Sequence, residues 1–155
     1  MSSKILSEAS GPDIVSNYSV DITVLHEAAR CVGSATDSKE SVNKMLRLMS
    51  EMLGLNRGRV LLKDDTTGGL VIKYSYGLTE DQIARGRYKS GEGITGRVMD
   101  TRQVAVIQNV DEERNFLFKA VDREILPDGV VSYLAVPIFN DQDCIGVLAA
   151  HRLRM

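Results

Sequence analysis

Apolar residues recur at helical spacing from Asp21 onward: Ile22, Leu25, Ala28, Ala29 and Val32 fall on one stripe, and Gly33 closes it. A second stripe, Val42, Met45, Leu46, Met49 and Leu53, follows Asp37 and Glu40, which are spaced as a capping box, and Gly54 stops it. Met45, Met49 and Met52 read as core filling rather than as a plastic binding groove. The period then falls to two. Arg59-Val60-Leu61-Leu62-Lys63 and Leu70 to Tyr76 form a hairpin around Asp64–Gly69. Thr79 and Gln82 cap a brief helix from Glu80 to about Ala84, and Val104–Ile107 is a further strand. Two strong strands, Val130–Phe139 and Cys144–His151, close the chain; their link, Asn140 to Asp143, is short enough to demand antiparallel pairing. Pro137 cannot donate to a ladder and should mark an edge or bend. The order of elements predicts an α+β domain around an antiparallel sheet. Residues 1–18, rich in Ser, read as a mobile leader before a domain over 19–155.

Between the brief helix and the third strand lies Lys89-Ser90-Gly91-Glu92-Gly93-Ile94-Thr95-Gly96-Arg97-Val98, a tight turn opening a short helix. Gly91 and Gly93 stand where positive φ is needed, and Glu92 sits at the positive end of the helix dipole. Gly91-x-Gly93-x-x-Gly96 matches the dinucleotide fingerprint, with Asp111 twenty positions on, but the preceding Arg85–Ser90 is no buried parallel strand. A P-loop fails as well, because Arg97 and Val98 stand where Lys and Ser/Thr are required. The polar stretch 108–129 holds Phe116 and Phe118, two of the three phenylalanines, and reads as a lid.

Charge adds little: 19 basic against 21 acidic residues leave a net −2, so no global field draws the chain to nucleic acid or membrane. No apolar run has the length of a signal or a span, and the cytoplasm is the default compartment. Cys31 and Cys144 read as separate, reduced, buried thiols. His26 and His151 stand apart from each other and from both cysteines and read as satisfied or exposed, not as ligands. Nothing assembles into a catalytic constellation, so no enzyme, metal or cofactor is expected.

The glycine turn, Ser132-Tyr133-Leu134-Ala135-Val136-Pro137-Ile138 and Ile145-Gly146-Val147-Leu148, in this order of elements, strongly resemble a GAF domain over about residues 20–152. Ala84-Arg85-Gly86-Arg87-Tyr88 running into Gly91-Glu92-Gly93 resembles the sensory domain of the NifA-type activators of nitrogen-fixation genes. The resemblance implies a six-stranded sheet, two long helices on one face, and short helices plus lid on the other enclosing a small ligand. It also implies a regulatory fragment that controls an AAA+ ATPase lying outside this chain. A C-terminal helix usual in GAF domains is expected to be cut away, leaving the first helix to pair with a second copy. Residues 77–129 lack the cysteine of bilin-linking domains and the histidine of haem-binding ones. The clustered cysteines of iron–sulfur and sulfoxide-reducing relatives and the signature of cyclic-nucleotide binders are also missing.

The implied pocket is lined by the glycine turn (Gly93, Ile94 and Thr95), Tyr88, Val106, Phe116, Phe118 and Tyr133, with Arg97, Arg114 and Lys119 at its rim. The resemblance offers 2-oxoglutarate or a regulatory protein as the signal, or an empty pocket in a dimerising or partner-docking module. A small anion such as 2-oxoglutarate should meet the turn's N–H groups and Arg97, with Arg114 as second choice. Arg97 reads equally as a solvated residue pairing with Glu92 or Asp100. If it binds the anion, Arg97→Ala should weaken binding about tenfold.

Overall fold

A computed structural model describes residues 12–34 and 39–154, with side chains from Val20 onward. The elements, in chain order, are α1 (Pro12–Gly33), α2 (Lys39–Leu53), β1 (Asn56–Lys63), β2 (Leu70–Ser75), α3 (Glu80–Arg85), α4 (Gly93–Thr101), β3 (Ala105–Ile107), β4 (Val130–Asn140) and β5 (Asp143–Arg154). Two single 3-10 turns, Val110–Glu112 and Arg123–Ile125, punctuate the lid. The first helix therefore begins well before Asp21 and takes in residues 12–18 of the predicted leader, whose residues 1–11 lie outside the described residues. Asp37 of the predicted capping box lies outside them too.

One antiparallel sheet runs in the order β2-β1-β5-β4-β3. It has five strands, not six. Outside β2, where a sixth would pair, a single bridge joins Leu70 to Tyr88, with Leu70 N–H donating to Tyr88 at 2.8 Å. The few residues between α3 and the glycine turn leave no length for a ladder.

Strand alternation divides the core in two. Val60, Val106, Leu134, Val136, Ile138, Leu148 and Ala150 pack with Ile22, Leu25 and Ala29 of α1 and Val42, Leu46 and Met49 of α2. Leu61, Ala105, Ile107, Tyr133, Ala135, Val147 and Ala149 point the other way, onto Ile94 and Val98 of α4 and onto Val110, Ala120, Val121 and Leu126 of the lid. Buried Asp21 staples α1 to β5 by accepting from Arg152 Nε at 2.8 Å and Nη2 at 2.7 Å, and from Arg154 at 3.1 Å. Thr79 and Gln82 form the predicted capping box of α3. Pro137 lies beyond the last pair with β3, where β4 has a free edge. Cys31 is exposed rather than buried, because it falls off the α1 stripe.

Candidate functional site

The lid face of the sheet carries two cross-strand rows. Ile107, Tyr133 and His151 stand opposite one another on β3, β4 and β5; the next row is Ala105, Ala135, Ala149 and, on β1, Arg59. Three alanines therefore form a low floor beside one long cation. A bulge aims that cation: from Asn56 to Arg59 β1 advances three residues while β5 goes two, from His151 to Ala149. Arg57, inside the bulge, has φ 51°.

Above the floor, Tyr133 and Thr95 share a buried hydroxyl–hydroxyl hydrogen bond of 2.7 Å, and Thr95 also interacts with the Tyr88 hydroxyl. Phe116 comes down from the lid edge-on to Tyr133, with centroids 4.9 Å apart, and to Phe118 at 4.7 Å. His151 completes the set, 5.1 Å from Tyr133 and 6.0 Å from Phe116. Several links hold the lid down. Lys119 pairs with Glu92 of the glycine turn at 3.1 Å and lies 5.2 Å over the Tyr88 ring. Arg85 of α3 reaches Asp122 and the Ala120 carbonyl, and Arg123 clips Asp111 at 2.7 Å and the Pro127 and Gly129 carbonyls.

Electrostatically the site is basic and under-satisfied. The Arg59 guanidinium lies 5.9 Å from the Tyr133 ring centroid and donates through Nε to the Arg57 carbonyl at 3.0 Å. Its Nη2 is buried without a partner, and among the described residues no ion pair includes Arg59. Burying an ion costs several kcal/mol. One charged hydrogen bond returns about 1.5–3 kcal/mol and a desolvated cation–π contact about 2 kcal/mol. His151 Nδ1 is also buried without a partner. Burial holds that imidazole well below the usual histidine range, Arg59 and Arg57 add to the effect, and a contact with the Ser132 backbone opposes it. Burial raises the Tyr133 and Tyr88 hydroxyls, so both remain protonated donors. Cys144 sits elsewhere, 3.6 Å from Met99 Sδ, and burial raises its pKa, away from nucleophilic thiolate.

The GAF family model matches residues 37–155. The chain belongs to the GAF domain family. Its relatives include the Nif-specific regulatory protein of Azospirillum lipoferum, 33% identical over 89% of this chain and 22% of the relative. The nitrogen fixation protein VnfA of Azotobacter vinelandii is 32% identical over 85% of this chain and 26% of its own length. This GAF domain thus spans about a quarter of the proteins it matches. In structure it is similar to the nlh2 GAF domain of A. aeolicus in an inactive state, with a TM-score of 0.69 at 24% identity, covering 90% of this chain and 83% of that one. It shares its fold with the free methionine-R-sulfoxide reductase of Neisseria meningitidis at a TM-score of 0.62 and 22% identity, covering 94% and 77% of the two chains.

Of the residues predicted to line the pocket, this GAF domain brings Tyr88, Thr95, Phe116, Phe118 and Tyr133 together. Ile94 is buried beneath them, and Gly93, at φ 62°, packs under Leu117 of the lid. Val106 is misplaced: its parity sends it to the helix face, and Ala105 and Ile107 take the lid side. Arg114 is exposed, and Arg97 is half-exposed on α4. Glu92 accepts from the Lys89 N–H and from Lys119, and Asp100 accepts from Ser90. Sequence reasoning missed Arg59 and set His151 aside. The signal was present in Arg59, which shares the parity of Leu61 in an apolar strand and so must face inward.

Proposed function

We propose that this GAF domain is a signal-responsive regulatory module of a bacterial nitrogen-fixation transcriptional activator, acting in the cytoplasm on an AAA+ ATPase in the rest of the protein. The names of its relatives support the regulatory and nitrogen-fixation assignment. The observation that carries ligand sensing is the buried, under-satisfied polar cluster of Arg59, His151, Tyr133 and Thr95 beneath the lid. A small anion seated there favours the closed lid over an open one, which is the differential affinity that switching requires. The resemblance to NifA-type proteins makes 2-oxoglutarate the first ligand to test. No catalysis is assigned, and ATP or methionine sulfoxide should turn over no faster than in a buffer blank. The test is a thermal-shift screen of central carbon and nitrogen metabolites with calorimetry on each hit. A ligand at about a hundred times its Kd should stabilise the fold by about 2.7 kcal/mol. A flat response to every metabolite would remove ligand sensing.

One observation favours a dimerisation module. Leu48, Met52 and Leu53 of α2 are exposed, Met52 to 75%, whereas on α1 the large exposed apolar side chain among the described residues is Val20. We propose a second copy as the occupant of this α2 face, beside the pairing face expected on the first helix, whose side chains from residues 12–19 lie outside the described ones. Antiparallel two-fold pairing brings Lys44 of one copy toward Glu51 of the other. The two readings are compatible, because α2 packs on the face of the sheet opposite the lid.

A further inference from the structure

Arg59, His151 and Tyr133 stand on three adjacent strands, β1, β5 and β4, with Tyr133 in ring contact with both of the others. Arg59 and His151 are each 3% exposed, and each keeps one buried nitrogen without a partner. Two such atoms on residues that both meet the Tyr133 ring, beside a bulge that spends a left-handed non-glycine residue on placing Arg59, mark a built recognition point rather than packing.

We propose that Arg59 and His151 form a carboxylate-binding subsite, with the ligand's short apolar body over Ala135 and Ala149 and against Phe116. The inference rests on the ligand-sensing reading above and moves the anion contact from the glycine turn and Arg97 to the bulge of β1. A guanidinium is flat and matches a carboxylate in its own plane. With one ring N–H engaged by the Ser132 backbone, His151 offers Nδ1 as an acceptor to a hydroxyl when neutral and as a donor to a carboxylate oxygen when the bound anion favours its protonation. Arg57, inside the same bulge and donating through Nη2 to the Ile125 carbonyl at 3.5 Å, is a second positive group close to Arg59, suited to a second carboxylate. Ala105, Ala135 and Ala149 present short side chains in the row next to Tyr133, over which Phe116 packs from the lid.

Calorimetric titrations with 2-oxoglutarate and with succinate, on wild type, Arg59→Met, Arg59→Lys and Arg97→Ala, test the assignment, together with melting of each ligand-free protein. The expected result is binding by wild type, a loss of about tenfold or more in Arg59→Met, and affinity within about twofold of wild type in Arg97→Ala. Arg59→Lys keeps the charge without the fork and should fall between. Ligand-free Arg59→Met should melt at or above the wild-type temperature, because it trades a buried charge that has no counter-ion and one unpartnered nitrogen for an apolar side chain. Wild-type affinity in Arg59→Met, or loss in Arg97→Ala, would return the anion to the glycine turn and overturn the subsite while ligand sensing stands. An Arg59→Met protein that melts several degrees lower than both wild type and Arg59→Lys would make Arg59 a structural residue and overturn it too. If wild type binds neither dicarboxylate but an uncharged metabolite stabilises it, the subsite falls alone.

Discussion

His151 joins the fold to pH through its burial. Its folded-state pKa lies well below the ordinary histidine value of 6.5, so the folded domain holds the imidazole neutral where the unfolded chain protonates it. Unfolding therefore takes up a proton below pH 6.5, and stability is lost as pH falls through that value, by up to about 1.4 kcal/mol per pH unit until the folded pKa is reached. Urea titrations near pH 7.5 and about pH 5.5 should show this decline in wild type and a flatter profile in His151→Gln. Equal slopes in the two proteins would remove His151 as its source. Tyr133→Phe deletes one end of the 2.7 Å hydroxyl pair but leaves Thr95 its contact with Tyr88, so the cost should sit near about 1 kcal/mol. Tyr133 and Thr95 were legible from the sequence because the turn and the strand that carry them have strong local signatures. The pair Arg59 and His151 was not, since each reads as a strand-end polar residue until cross-strand register places it against Tyr133.

The glycine turn and α4 make the same point for elements. Gly91 and Gly93 do take positive φ, 72° and 62°, as the spacing predicted. Gly96 has a protein partner rather than a ligand: a Cβ there would stand 2.9 Å from the Lys89 carbonyl oxygen and 3.0 Å from the Gly91 carbonyl carbon. Both are backbone atoms that cannot swing aside, so Gly96→Ala should cost about 1–3 kcal/mol by overpacking. Chemical denaturation checks this, and a stability unchanged from wild type would mean the turn yields freely. The dinucleotide fingerprint is thus met by backbone close to backbone. The helices, the two hairpins and the α3 capping box followed from period and punctuation. Val106 failed because a three-residue strand gives alternation too little length to fix its phase, and only pairing with Leu134 settles which face it joins. The sixth strand failed because it came from the family's usual sheet, and here that edge is one bridge.

For the whole molecule, the sheet separates two surfaces: the lid face, where we propose the ligand site, and the helix face, where α2 exposes Leu48, Met52 and Leu53. Met52 reads with Met45 and Met49 as core filling by helical spacing, although the α2 stripe runs through Met49 and leaves Met52 out. Burial decides it, with Met49 3% and Met52 75% exposed. If α2 pairs two copies, wild type should sediment with a concentration-dependent dimer. Met52→Glu should shift that equilibrium toward monomer, because the charge would have to be desolvated against the partner's Leu48 face at a cost of several kcal/mol. The same substitution should leave melting of the monomer within about 0.5 kcal/mol, as exposed changes usually do. It should also leave ligand stabilisation intact, because the lid site lies across the sheet. Sedimentation velocity over a range of loading concentrations, repeated with ligand, reads both effects. A wild type that stays monomeric throughout removes the dimer. A Met52→Glu variant that loses its ligand response would instead show that the two faces of the sheet act as one switch.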